Sequence, residues 1–388
     1  VAFDSPSSQK ILIVAAEASS GQYAEKLLEE LSRRKHKIDF FGVGTQNMES
    51  LGVRRIGKAE EMSVLGIFEI LSKYKFLKSI FSNIVEECKK SKPTAAILMD
   101  YSGFNLRLAR ELHALNIPVL YYISPQIWAW RKGRVKTIKK YVSKMLVIFP
   151  FEKKFYEEAG VPVEFVGHPL LDDLNPAFFE PQELKNRRSK FGVHDDDVIL
   201  GLMPGSRNSE LKFNFPTQLE VAKRAYKNCP NLKILIMVAP TFEKENLLPY
   251  LEDFNIPFIM IKDDPFRMIH LADVVLATSG TATLMVGLLN KPQVIMYKVQ
   301  WLTAIIAKLL VKGTRFFGLV NLILNKEVAP ERFQEKANVD ELSSLVIPWI
   351  NDKNLLQQKS LELAELKTQL GEKGATVRVA QIVEEYLK

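Results

Sequence analysis

Short apolar, β-rich runs recur along this 388-residue chain with helical stretches between them: KILIVAA, KIDFFGVG, TAAILMD, PVLYYIS, KMLVIFP and VEFVGHP. This alternation constrains the fold more than any other feature. Parallel strands can be joined only through crossovers long enough to hold a helix, so strand–helix repetition predicts a mostly parallel sheet covered by helices on both faces. The pattern breaks at HPLLDDLNPAFFEPQEL, where prolines, acids and asparagine replace it, and this reads as a hinge followed by a new helix. A second series then runs through VILGLMPGS, LKILIMVAP, PFIMIK, VVLATS and PQVIMYK. The expectation is an α/β protein of two doubly wound, Rossmann-like domains facing each other across a cleft, over residues 1–172 and 173–341. From Leu342 the pattern is helical through LELAELKTQLGEKGA to VRVAQIVEEYLK, so 342–388 reads as a tail that crosses back onto the first domain or onto a partner chain, as in a homodimer.

Composition narrows the function classes. A hydrophobic fraction of 47% and a charged fraction of 25% exclude global disorder. The net charge of +8 favours an anionic partner, whether nucleic acid, anionic lipid or a phosphorylated small molecule. Cys88 and Cys229 form no C-x-x-C pair, which argues against a disulfide framework and for a reducing compartment, by default the cytoplasm. The beginning, VAFDSPSSQK, does not read as a secretory signal, and the apolar segment from Trp301 to Val311 is too short to span a bilayer. Contact with a membrane is therefore expected at its surface.

Ligands of open parallel sheets collect at the carboxyl ends of the strands, which ranks the candidate residues. LMPGSRNSE follows a strand directly: Gly205 permits close backbone approach, Ser206 can hydrogen-bond and Arg207 can clamp a phosphate through two N–H groups. ATSGTAT, with Ser279, Gly280 and Thr281, also follows a strand and opens a helix. Either turn alone is as well explained as a helix cap; two together favour the diphosphate of a nucleotide. No G-x-G-x-x-G follows the first strand and no G-x-x-x-x-G-K-[ST] occurs, so dinucleotide and P-loop readings have little support. The five histidines lack metal-ligand spacing, and a mechanism without metal or cofactor is expected. His168 in GHPLLDD reads equally as a loop residue bonded to backbone. Asp100 ends TAAILMD, where it is either a general base toward a hydroxyl or the N-cap of the next helix; local sequence leaves both open.

Taken in order, VAAEAS, MSVLGIFEIL, MDYSGFN, SPQIWAWR, FPFEKKFYEEAGVPVEFVGHPL, LMPGSR, TSGTATL and LVNLILNKEVAPERFQ span nearly the whole chain. In that order and spacing the chain resembles the lipid-A-disaccharide synthases. The resemblance implies a B-type glycosyltransferase (GT-B) fold with UDP held mainly by the second domain. It also implies transfer, with inversion, of a 2,3-diacylglucosaminyl unit from UDP to the 6-hydroxyl of 2,3-diacylglucosamine 1-phosphate. Asp100 matches the family's catalytic aspartate and Arg207 its phosphate-clamping arginine. Asn321 and the Ser279–Gly280–Thr281 turn fall where the family places further donor contacts. Glu17, Ser19 and Glu331 lie in its substrate-binding motifs. Other readings on the same fold are a UDP-sugar epimerase, a different glycosyltransferase, or a catalytically weakened binding relative.

Four departures bear on donor affinity. Ser19, Ser20, Gly21 and Gln22 stand where relatives carry an acidic residue after Glu17. Gly103 replaces a second aspartate, Met285 occupies the place of a glutamate that commonly binds ribose, and APERFQ around Glu331 is an unusual form. In ISPQIWAWRKGRVKTIKK, Trp128 and Trp130 read as packing residues, while Arg131, Lys132 and Arg134 suit the acceptor's 1-phosphate, an anionic membrane or a solvated helix face. Between Val64 and Phe81 the apolar residues, among them Phe68, Ile70, Leu71, Tyr74 and Leu77, cover more than the stripe needed to face one core. With Lys73, Lys75 and Lys78 interspersed, they suit a helix resting on an anionic inner-membrane surface from the cytoplasmic side, or one packed between two layers of protein. The expected partners are thus a UDP-sugar donor, an acylated sugar-phosphate acceptor and that surface, with no role for nucleic acid.

Overall fold

The structure, a computed structural model, describes residues 9–62, 74–128, 132–299 and 316–387. Phe68, Ile70, Leu71, Trp130, Arg131 and the Trp301–Val311 segment lie outside the described residues, as do the side chains of Tyr74 and Lys132. The chain divides into two compact units, the first running to Asp172 and resuming at Leu370, the second spanning Asp173–Gln369.

The first unit is built on a sheet of seven parallel strands: β1 (Gln9–Ala15), β2 (Ile38–Gly44), β3 (Arg54–Lys58), β4 (Ala95–Met99), β5 (Val119–Tyr122), β6 (Lys144–Val147) and β7 (Val163–Phe165), in the order β3-β2-β1-β4-β5-β6-β7. The second carries six: β8 (Val198–Met203), β9 (Leu232–Met237), β10 (Phe258–Ile261), β11 (Val274–Thr278), β12 (Gln293–Tyr297) and β13 (Glu331–Phe333), in the order β10-β9-β8-β11-β12-β13. Every apolar run named above forms a strand. β4 and β11 are buried along their whole length, as expected of parallel strands with helices on both faces. The strands not foreseen, β3 and β13, are edge strands, where RRIGK and ERF need no continuous apolar run.

The helical tail divides between the units. Helices Val339–Asn351, Lys353–Leu363 and Glu365–Gln369 stay with the second, where Leu342, Val346, Trp349 and Ile350 join the core. Helix Ala375–Glu385 belongs to the first and packs on helix Ala18–Ser32, with Arg34 and Glu384 paired at 2.6 Å. Its entry is fixed by Asp172, whose carboxylate accepts from the backbone N–H groups of Gly374 at 2.6 Å and Thr376 at 3.2 Å and from the Thr376 hydroxyl at 3.1 Å. A carboxylate on the free N–H groups of a helix start is favourable in both hydrogen bonding and dipole. Among the described residues no helix is long and apolar enough to cross a membrane.

Candidate active site

In the first sheet the strand order reverses between β1 and β4, which pair with Ala15 opposite Met99. Such a switch leaves a crevice beyond the carboxyl ends of the two strands. Glu17 lies just past β1 and Asp100 directly follows β4. Asp100 and Tyr101 both hold left-handed backbone, at φ +46° and +41°, a conformation costing non-glycine residues about 1–3 kcal/mol each. The surroundings enforce it. The carbonyl of Asp100 accepts from the hydroxyl of Tyr121 and, at 3.0 Å, from the amide of Asn105, which also donates to the Met99 carbonyl at 2.9 Å. Tyr121 and Asn105 are fully buried.

This geometry decides between the two readings of Asp100 as far as the cap is concerned. Helix Ser102–Ala114 has Tyr101, not Asp100, in its N-cap position, and no side chain caps it. The Asp100 carboxyl is half-buried, and its pKa is pushed up to about 7, chiefly by burial, then by the like charge of Glu17, with the Tyr101 N–H pulling the other way. A carboxyl group ionising near neutrality is suited to take a proton from a hydroxyl. Glu17 caps helix Ala18–Ser32, where its N–H donates to the Ser20 hydroxyl at 3.2 Å; Ser19 is half-buried in the first turn. Arg134 reaches the same region, donating to the Ser102 hydroxyl at 2.9 Å.

The SPQIW loop after β5 is fastened from below. The Trp128 indole donates to Glu152 at 3.2 Å and meets Phe151 edge-on at 4.8 Å, so this tryptophan is a packing residue with a polar anchor. Burial pushes the Glu152 carboxyl up to about 8, while N–H donors of Phe149 and Trp128 oppose that shift. His168 is buried, accepts the Leu170 N–H at 3.2 Å and has its pKa lowered to about 3 by desolvation, so it is a neutral loop residue.

In the second unit the order reverses between β8 and β11, paired with Met203 opposite Ala277. The two turns singled out above sit at this switch. Gly205 adopts φ +112°, Ser206 follows it, and Arg207 starts helix Asn208–Asn228 with its side chain half exposed. Ser279 is half-buried; Gly280 and Thr281 are exposed after β11. The Gln218 amide, fully buried, donates to the carbonyls of Met203 at 3.1 Å and Leu276 at 3.3 Å, joining the two strand ends.

Asn321 and Glu331 lie together away from those turns in sequence but bonded to one another. The Asn321 amide donates to Glu331 at 2.7 Å and to the Ala329 carbonyl at 2.6 Å, and its oxygen accepts from Val328 and Ala329 at 2.9 and 3.0 Å. Its side chain is fully buried and all its polar groups are used. Glu331 also accepts from the N–H groups of Phe317 at 2.9 Å and Gly318 at 3.0 Å, closing the start of helix Leu319–Leu324. Met285 is half-buried in helix Ala282–Leu288. Among the described residues no group of three or more His, Cys, Asp or Glu side chains is placed to hold a metal ion.

The family model described as lipid-A-disaccharide synthetase matches residues 11–386. The lipid-A-disaccharide synthase of Myxococcus xanthus is 37% identical over 382 residues, covering 97% of each chain, and that of Geobacter sulfurreducens is 36% identical over 380 residues, covering 98% of each. The chain belongs to the lipid-A-disaccharide synthetase family. Solved structures of similar fold include UDP-GlcNAc 2-epimerase from Neisseria meningitidis bound to UDP-GlcNAc. Its TM-score is 0.63 at 12% identity, covering 97% of this chain and 100% of that one. A glycosyltransferase from Rickettsia africae has a TM-score of 0.57 at 13% identity, covering 98% and 99%. At those identities the likeness is one of fold, the two-sheet α/β architecture of the B-type glycosyltransferases. In this member of the synthetase family, sequence reasoning passed over Asn105, Tyr121, Glu152, Glu210 and Gln218. The signal for Glu210 was present, an acid three residues after the first helical turn's cap; a polar side chain inside an apolar strand, as at Tyr121, carries none.

Proposed function

We propose that the two units divide the family's reaction by substrate, the first acting on the acceptor through Asp100 and the second holding the donor's diphosphate on the Gly205–Arg207 turn. The chain is a UDP-sugar-dependent glycosyltransferase of lipid A biosynthesis. It joins the 2,3-diacylglucosaminyl unit of its UDP donor to 2,3-diacylglucosamine 1-phosphate, giving the disaccharide 1-phosphate and UDP. The Asp100 carboxylate takes the proton of the 6-hydroxyl as that oxygen bonds to the donor's anomeric carbon. The bond from this carbon to the diphosphate oxygen breaks on the opposite face, so configuration inverts. Arg207 and the exposed Ser279–Gly280–Thr281 turn bind the negative charge that gathers on the leaving diphosphate. The single observation behind this reading is Asp100 itself: a carboxyl group at the switch point, held in strained backbone and ionising near pH 7. Incubation of the purified chain with both substrates is expected to yield UDP and a disaccharide 1-phosphate by mass spectrometry. Epimerised UDP-sugar without disaccharide, or UDP binding without turnover, would replace this reading by one of its alternatives.

Both substrates carry acyl chains, and the reading extends to an anionic membrane surface on the cytoplasmic side of the inner membrane. Helix Tyr74–Ser91 exposes Lys75 and Lys78 while Phe76, Leu77 and Phe81 pack partly against the first unit's core. Leu77 is therefore shared between core and surface. Changing Phe68, Leu71 and Leu77 together to serine is expected to release the protein from phosphatidylglycerol-containing vesicles in a flotation assay while UDP binding persists. A variant that floats with the vesicles as the parent does would put the lipid contact elsewhere.

A further inference from the structure

The phosphate-clamping turn contains a carboxyl group that the reaction above does not use. Glu210 lies in the first turn of helix Asn208–Asn228 and is only 6% exposed. One of its carboxylate oxygens accepts the Ser206 N–H at 2.8 Å and the other lies 3.2 Å from the Nη1 of Arg207. Its backbone carbonyl accepts from the buried Asn214 amide at 3.0 Å, and Asn214 in turn accepts the Lys298 N–H at 2.7 Å, just past the carboxyl end of β12. The turn is closed around this side chain: a Cβ on Gly205 would lie 2.5 Å from the Glu210 Cβ and 2.6 Å from its carboxylate. Glycine is thus required at 205 both for its φ of +112° and for the room it leaves.

A buried carboxylate next to a site for anions should weaken that site by simple repulsion. Its pairing pattern points to a different effect. The Arg207 side chain is 50% exposed and that of Glu210 8%, so one N–H of the guanidinium is turned inward onto a fixed acceptor while much of the planar fork remains outside. Because the guanidinium is rigid and planar, fixing one N–H fixes the direction of the others, and less freedom is lost when a diphosphate is bound. We infer that Glu210 is a positioning residue: it sets the Gly205–Ser206 turn and aims the Arg207 guanidinium at the diphosphate of the nucleotide donor. This inference rests on the reading of that turn as the donor's diphosphate site.

Its test is a double-mutant cycle read with UDP and with uridine by calorimetry. Glu210→Gln keeps an oxygen for the Ser206 N–H and removes the charge that holds Arg207. It is expected to weaken UDP about 5- to 10-fold, the scale of one ordinary hydrogen bond, since Arg207 itself remains, and to leave uridine unchanged. In the Arg207→Ala background the same change is expected to alter UDP affinity less than about twofold, since nothing remains to be aimed. Equal losses for UDP and uridine, an undiminished loss in the Arg207→Ala background, or tighter UDP binding by Glu210→Gln would each overturn the inference. Should Glu210→Gln not fold, Glu210→Asp, which retains the charge but withdraws it by one methylene, serves in the same cycle. If Arg207→Ala alone weakens UDP no more than uridine, the diphosphate assignment itself is wrong, and that outcome is separate from any result at Glu210.

Discussion

Asp100→Asn is expected to lower turnover by about 100- to 10,000-fold, the usual effect of losing a general base, while UDP binding by the second unit is retained. The same change is expected to raise the melting temperature at pH 8. Burial and Glu17 raise the Asp100 pKa from 3.8 to about 7, so the folded state holds this proton more tightly than the unfolded chain. Stability from the group is fully present below pH 3.8 and is lost as pH rises through about 7, where a partly desolvated charge must form. Asparagine never forms that charge. The stability gap between variant and parent should therefore open between about pH 4 and pH 7 and stay constant above it. Turnover of the parent should rise through the same upper limit, and Glu17→Gln, by removing a like charge, should move that rise to lower pH. Near-parental turnover of Asp100→Asn would remove Asp100 from the mechanism, whatever its effect on stability.

A substitution that stabilises the fold yet lowers turnover is the mark of a site residue, and only part of what makes Asp100 one was legible in the sequence. The strand ends were visible because β1, β4, β8 and β11 are central, apolar runs, and the rule that ligands gather at carboxyl ends of such strands pointed to Asp100, Arg207 and Ser279, whereas Glu17 was named only through the family resemblance. What makes Asp100 special was not visible. Left-handed backbone at an Asp and a Tyr has no residue signature of the kind glycine supplies, and it depends on Tyr121 and Asn105, whose polar atoms are hidden inside a strand and a helix that read as ordinary core. The edge strands β3 and β13 were missed because an edge needs no apolar continuity. The division of the tail at Gln369 was equally hidden: helical periodicity says that Trp349 and Val379 face a core, and not which one.

The family resemblance also placed Asn321 among donor contacts, and here the bonds on its side chain make a different role testable. Its amide closes a loop from Val328 to Glu331 onto helix Leu319–Leu324 through two accepted and two donated hydrogen bonds, with no exposed surface left for a ligand. Asn321→Ala would strand two buried N–H groups and one carbonyl and leave the Glu331 carboxylate with fewer donors. A loss of about 2–4 kcal/mol is expected, enough to lower the melting temperature by several degrees. If the residue acts as a fastener, UDP affinity measured well below that transition should fall only a fewfold. Asn321→Asp sharpens the comparison. It keeps both accepted bonds from Val328 and Ala329 but turns the donor into a second carboxylate beside Glu331, so its stability should recover as pH is lowered and one of the pair is protonated. A variant as stable as the parent that no longer binds UDP would instead mean that the amide reaches the nucleotide directly, and the loop would have to rearrange to let it.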